Sequence, residues 1–469
     1  MAPSDTDRRR ASGASLPAFH GLGALLTGLA GVMAVLHPLN ENVVIWLWLI
    51  LPAGFPLLIL ASRARGWDVA RGAAEEASRE DEEAPRVTPP LDDMGRRVRP
   101  VRAMPWDFVI SILFWTLLMR LPLLATPPTL SDDVHRYVWE GRITALGENP
   151  YEKAPTDPSL AHLIPKAPEW ASINHPELPA IYPPATQWVF AGVAFAAPDQ
   201  QAFRAVMVGF DLLLVVALCF LLQARGLPIR RVVLYAWHPL VVVEVAGSGH
   251  YEPLALLPLV LALVAWTLRA PLVAFALWGV AFATKYIGAV AALFAARDDL
   301  VHRRLPRAVG LVTLLAVAAA VPALPFVLDG AAPIGSLGTY ARDWAHNGSL
   351  HPLLATYIGF HPARLVVAAL LLLWAGKLLT QPIEPARGFM LLFVGLILLS
   401  PVVHPWYGLW LIAFLPLFPR VSVMLFTVLL PLSYLVWAAE GSGKGWELPG
   451  WVPWLEYGLP LLWWRLFER

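Results

Sequence analysis

Two adjacent carboxylates, Asp132 and Asp133, stand in the stretch LSDDVHRYVWEGRITALGENPY, which runs from Leu130 to Tyr151. Paired acids can supply a general base, and at the start of a helix they can equally do no more than complement the backbone dipole. Arg136, Tyr137 and Arg142 follow at helical intervals. Further along, GSGHYEP brings His250 and Glu252 together, a pair that suits a cation or a polar helix cap. Lys285 interrupts an apolar run at ATKYIG, and an ionisable side chain inside such a run is a functional candidate by default, with a structural ion pair as the bland alternative. Arg342, Trp344 and His346 share the polar stretch YARDWAHNGSL, and His404 precedes Pro405 and Trp406 in SPVVHPWYGLWLIAFLPL.

The elements that must position these residues are set by composition. The chain has 469 residues, 57% of them hydrophobic and only 15% charged, with 21 tryptophans and a mean hydropathy of +0.58. That leaves too little polar surface to cover a soluble globule. The sequence therefore predicts an all-α polytopic membrane protein. A crossing helix needs roughly 20 mostly apolar residues, and candidates fall at 17–36, 43–61, 106–125, 204–223, 253–268, 271–296, 308–328, 364–380, 402–419 and 421–439. Shorter candidates at 184–197, 232–246, 387–400 and 453–466 bring the bundle to about 12–14 transmembrane or half-membrane helices. The N-terminal apolar run follows RRR like a signal peptide but is long and lacks a small-x-small cleavage site, so it reads as a retained anchor.

Arginine placement orients the bundle. Residues 62–104 hold nine arginines and nine acidic residues, and only the arginines count for topology. This segment reads as a cytoplasmic, disordered linker between an N-terminal helix pair at 1–61 and a catalytic membrane domain at 105–469. The helix at 106–125 then delivers Asp132 and Asp133 to the outer face. Arginines at 224–231 and 297–307 agree with this only if 184–197 is a half-helix and 271–296 is two half-helices meeting at Lys285, an irregularity tolerated where it lines a cavity.

After Ser131 as a candidate N-cap, Asp133, Arg136, Tyr137 and Glu140 recur along one helical face, with Val134, Val138, Ile143 and Leu146 offering apolar contacts. Such a helix would lie along the outer membrane surface. Gly147, Pro150 and Pro155 end it, and a Pro-rich loop through NHPELPAIYPPATQ leads to the next hydrophobic segment. A formal net charge of +1 gives no reason to expect nucleic acid. The single cysteine, Cys219, can form no intrachain disulfide.

The order helix, acidic pair, surface helix, NPY, Pro-rich loop, YPP and helix resembles the first external loop of GT-C glycosyltransferases. It is most similar to the polyprenyl-phosphate-mannose-dependent α-mannosyltransferases of bacterial lipoglycan assembly. WHPLVVVEVAGSGHYEPLALLPLVLAL (237–263), YARDWAHNGSL (340–350) and SPVVHPWYGLWLIAFLPL (400–417) extend the resemblance over about 106–420. Three positions depart from that pattern: His135 stands for Tyr, His238 for Asn, and Tyr251-Glu252 for Asn-Asp.

The resemblance implies a GT-C-type bundle with external catalytic loops, integral to the cytoplasmic membrane, with its active site on the outer face. It implies transfer of a sugar, with mannose first, from a polyprenyl-phosphate sugar donor to a glycolipid or glycan acceptor by an inverting displacement. One carboxylate then serves as base, Asp133 ahead of Asp132, and cations hold the developing phosphate charge. Lys285, Arg136, Arg142, Arg342, His346 and His404 are the phosphate or sugar contacts to examine. Trp344 is a stacking surface, and Tyr137, His250 and Glu252 are further contacts around the acceptor. No cofactor and no metal are expected, because the donor carries a monophosphate. The rival from another class is a transporter or flippase, for which intramembrane charge and broken helices would serve equally well. The long outer loop with its acidic pair favours the enzyme.

Overall fold

A computed structural model describes residues 16–36, 104–128, 130–437 and 447–468, with parts of 53–60. The expected helix at 43–61 and the linker at 62–104 lie almost wholly outside the described residues. The chain is an all-α polytopic membrane protein. Among the described residues there is no strand, only isolated bridges that pair His346 and Asn347 with Val402.

In chain order the main helices are α1 (Leu16–Leu36), α2 (Trp106–Leu124), α3 (Asp133–Ala145), α4 (Pro184–Ala196), α5 (Gln200–Ala224), α6 (Glu252–Thr267) and α7 (Pro271–Thr284). They continue with α8 (Val290–Val301), α9 (Leu305–Ala320), α10 (Phe360–Leu379), α11 (Pro385–Leu399), α12 (Val421–Leu429) and α13 (Leu459–Phe467). Four described helices are long and apolar enough to cross a membrane: α2, α5, α9 with its continuation to Leu328, and α10. Shorter apolar helices include α6, α7 and α11.

Charge inside the bundle is paired. Arg120 of α2 and Asp211 of α5 are both fully buried with Nε to Oδ2 at 2.7 Å, and Tyr235 donates to the other Asp211 oxygen at 2.6 Å. Unpaired, either charge would be prohibitive at that depth. Arg204, near the start of α5, donates to the carbonyls of Leu123, Leu124, Thr126 and Gly247. It thus satisfies backbone acceptors left over where α2 ends and ties them to the turn before His250.

Irregular backbone falls where protein surrounds it. The expected half-helix at 184–197 is α4, 13 residues long. The run at 271–296 divides as expected: Lys285 has extended backbone (φ −156°, ψ 125°) between α7 and a 3-10 turn, Tyr286–Ala289, that leads into α8. The segment expected to cross at 402–419 does not form one long helix. It is a 3-10 turn at Pro405–Tyr407, a five-residue helix at Gly408–Ile412 and further turns. Residues 408–415 are all buried, so neighbouring helices replace the lipid that a regular span would face.

α3 packs on α4 through Gly141, where a Cβ would lie 2.4 Å from the Phe190 carbonyl oxygen. The face of α3 that carries the helically spaced polar residues is covered by protein. Arg136, Tyr137 and Glu140 are buried along with Val134, Val138 and Ile143, while Leu146 is exposed. The 152–183 loop folds back over this face. Arg136 donates from Nε to Glu140 at 2.8 Å, from Nη1 to the carbonyls of Asn174 (2.9 Å) and His175 (3.0 Å), and from Nη2 to those of Leu178 and Pro179. A guanidinium has five N–H donors, and these five bonds use them all.

Candidate active site

A cavity of about 910 Å³ opens between α3, the 174–183 part of the loop, the Lys285 break, and the 336–346 and 404–407 segments. Of the residues singled out from the sequence, Asp132, Asp133, Arg136, Tyr137, Lys285, Trp344, His346 and His404 line it. His250 and Glu252 lie directly behind this wall. Arg142 and Arg342 do not reach the cavity. Arg142 pairs with Glu169 at 2.9 Å, and exposed Arg342 makes two 2.9 Å bonds with its neighbour Asp343.

The two acids differ in placement. Asp132 rather than Ser131 holds the N-cap position of α3 but makes no side-chain cap hydrogen bond, and Ser131 Oγ accepts the Asp133 backbone N–H at 3.3 Å. One amide bridges the pair: Asn174 Nδ2 donates to Oδ1 of both Asp132 and Asp133, each at 2.9 Å. Burial and then the Asp133 charge push the Asp132 carboxyl above its usual range, against the Asn174 hydrogen bond. Asp133 turns its second oxygen toward the Tyr137 hydroxyl at 3.5 Å and His250 Nε2 at 3.7 Å, and its side chain remains 19% exposed.

Lys285 lines the same cavity. Its ammonium bonds Glu252, whose side chain is fully buried, and lies 4.9 Å from the Tyr251 ring centre, with the Tyr407 and Trp410 rings at 5.6 and 5.8 Å. Carboxylate and ring faces together keep the ammonium at the cavity wall. A stack of flat rings forms another side: His250 on Trp406 (4.0 Å), Trp406 on His404 (4.3 Å) and His404 on His346 (5.0 Å). Burial lowers the His346 pKa to about 4, so that ring is neutral near pH 7. Trp344 packs against Tyr340 and edge-on to His175.

Residues 93–297 match the family model of the alpha-(1->6)-mannopyranosyltransferase N-terminal domain. That stretch, somewhat under half of the chain, is similar to this mannosyltransferase family. It contains both acids, Asn174, His250, Glu252 and Lys285, whereas Trp344, His346 and His404 lie beyond it. No curated protein and no solved structure matches the chain.

Within the matched stretch the three departures from the expected pattern take distinct places. His238 accepts the Leu240 N–H at 3.2 Å as a helix cap and meets Thr427 at 3.1 Å, away from the cavity. His135 faces Gln200 at 2.7 Å. Glu252 is the partner of Lys285. Two residues escaped sequence reasoning. Asn174 is a lone amide in a Pro-rich loop with no spacing signal. Glu244, an acid in an apolar run, did carry one, and it meets His250 Nδ1 at 2.7 Å. Among the described residues no three His, Cys, Asp or Glu side chains gather as a metal ligand set would.

Proposed function

We propose that the protein transfers a mannosyl unit from a polyprenyl-phosphate donor to a hydroxyl of a glycolipid or glycan acceptor on the outer face of the cytoplasmic membrane. The observation that carries this reading is that a carboxylate pair bridged by Asn174 and the ammonium of Lys285 line one cavity. Asp133 accepts the proton of the acceptor hydroxyl as its oxygen attacks the anomeric carbon. The bond from that carbon to the phosphate oxygen breaks, and its electron pair leaves with polyprenyl phosphate. Lys285 meets the developing phosphate charge. Neutral His346 and His404 suit sugar hydroxyls better than phosphate, and Trp344 offers a ring face to the sugar. The family's printed name specifies an α product, so a single inverting displacement requires a β-linked donor.

The deciding experiment incubates purified protein with radiolabelled polyprenyl-phosphate mannose and membrane lipid extract. Label should move into a new glycolipid, and it should still do so in chelator. Turnover with a nucleotide sugar alone would sink the donor assignment, and loss in chelator would return a metal to the acid pair.

Orientation has its own test. With Cys219 first replaced, a cysteine at Ser159, exposed in the loop over α3, should react with a membrane-impermeant thiol reagent in intact cells, and one at Ser78 should not. The reverse pattern would put the cavity on the side of the nucleotide sugars.

A further inference from the structure

We infer that Glu244 and His250 act together as a positioning pair that holds Asp133 for proton abstraction, with His250 presenting a cationic Nε2 to Asp133 Oδ2. This rests on the reading of Asp133 as the base. Three observations lead to it. First, the chain goes to unusual lengths to place the pair. Glu244 lies in a π-helical turn, Val243–Gly247, a local widening that often marks functional sites. Gly249 follows with φ +81°, a left-handed conformation, and a Cβ there would lie 2.7 Å from Arg204 Cγ. The chain thereby folds back so that the His250 backbone N–H donates to the Glu244 carbonyl at 2.9 Å.

Second, the ring has an acid at each nitrogen. His250 Nδ1 meets Glu244 Oε2 at 2.7 Å, with the carboxylate off the direction of the ring N–H, and Nε2 faces Asp133 Oδ2 at 3.7 Å. Tyr434 fixes the far oxygen of Glu244 by donating to it at 2.6 Å. A neutral imidazole with its proton at Glu244 would aim a lone pair from Nε2 at the Asp133 oxygen. Only the imidazolium suits both neighbours.

Third, the surroundings favour that charge. Glu244, Glu252 and Asp133 act on the ring from the π turn, α6 and α3; of the cations nearby, Lys285 is bonded to Glu252 and Arg204 to backbone carbonyls that include Gly247. Trp406 covers the ring face at 4.0 Å, where a cation is attracted by the indole. Neutral His404 lies behind Trp406. Burial opposes protonation of His250, but the Glu244 contact and the charges of Glu244, Glu252 and Asp133 outweigh it and hold the pKa above the ordinary imidazole value.

The sign of the pH effect follows. A raised imidazole pKa means the cation is present below that value and lost as pH rises through it. Turnover should therefore fall on the alkaline side. Glu244→Gln removes one flanking charge and should move this alkaline limb to lower pH by about 1–3 units, the size of shift an adjacent opposite charge produces. His250→Gln should abolish the limb. Both changes should act on kcat more than on donor KM, because the pair touches the base and not the donor.

The experiment measures kcat across pH for the purified full chain with polyprenyl-phosphate mannose and lipid extract, comparing wild type, Glu244→Gln, His250→Gln and Asp133→Asn. A limb that stays put in Glu244→Gln, or persists in His250→Gln, overturns the inference, even if overall rates drop. Should Glu244→Gln not survive purification, the His250→Gln profile decides alone. If Asp133→Asn keeps its turnover, the base assignment itself falls. If it loses turnover while the other two keep the wild-type limb, only the positioning role falls.

Discussion

Asp133→Asn is expected to lower turnover by about 10²–10⁴-fold, the contribution that a positioned general base typically makes. The substitution keeps size and planarity. Asn174 can still donate to the remaining side-chain oxygen, at the position where it now lies 2.9 Å from Asp133 Oδ1. What disappears is the capacity to take the acceptor's proton. Donor binding should change little, since the phosphate is met by Lys285 and not by the acid pair. Asp132→Asn should cost less in kcat and more in apparent acceptor affinity, because Asp132 is drawn into the helix start and its carboxyl already holds a proton more readily than usual. Neither change should unfold the protein, as an acid in a first helical turn is worth about 0.3–1 kcal/mol. Initial rates of label transfer decide the matter. Near-full turnover in Asp133→Asn with loss in Asp132→Asn would exchange the two roles, and activity in both would reduce the pair to a helix cap.

Arg136→Gln should instead attack stability. It strips a buried carboxylate of its partner, and breaking a buried pair from one side costs about 3–5 kcal/mol. Glu140 would retain only Gln187, which donates to it at 2.6 Å, and four loop carbonyls would each lose a donor, His175 keeping another from the Leu178 N–H and Pro179 one from Ser336 Oγ. The expected result is a large drop in thermal midpoint in detergent, with early proteolysis within 152–183. Arg342→Gln, by contrast, should be silent, because its only side-chain partner is exposed Asp343. A normally folded Arg136→Gln with a raised donor KM would show that this arginine serves phosphate after all.

The contrast between these two arginines shows where sequence reasoning reaches its limit. Long apolar runs such as α2, α5 and α10 declare themselves, because a membrane demands a length and a composition that nothing else in the chain imitates. The break at Lys285 was visible for the same reason, as a charge in an apolar run. Helical spacing also identified α3 and placed Arg136 and Glu140 on one face. It could not say what covers that face, which is the 152–183 loop. Asn174 is 41 residues from Asp133, and Glu244 is 190 from Tyr434. Such partners depend on tertiary closure, which leaves no periodic trace. The 402–419 segment misled in another way: buried protein surroundings and lipid both select apolar residues, so hydropathy alone does not separate a span from a buried turn.

The double attachment of the 152–183 loop bears on how such enzymes could be recombined. Arg136 grips the backbone of 174–179 while Asn174 reaches back to both acids, so loop and helix are fastened in each direction. A chimera that imports a relative's loop to alter acceptor choice, but keeps this helix, would inherit mismatched fastenings at both points. The workable unit of exchange is the whole stretch from Ser131 to Pro183, moved as a single cassette with its own arginine, amide and acids.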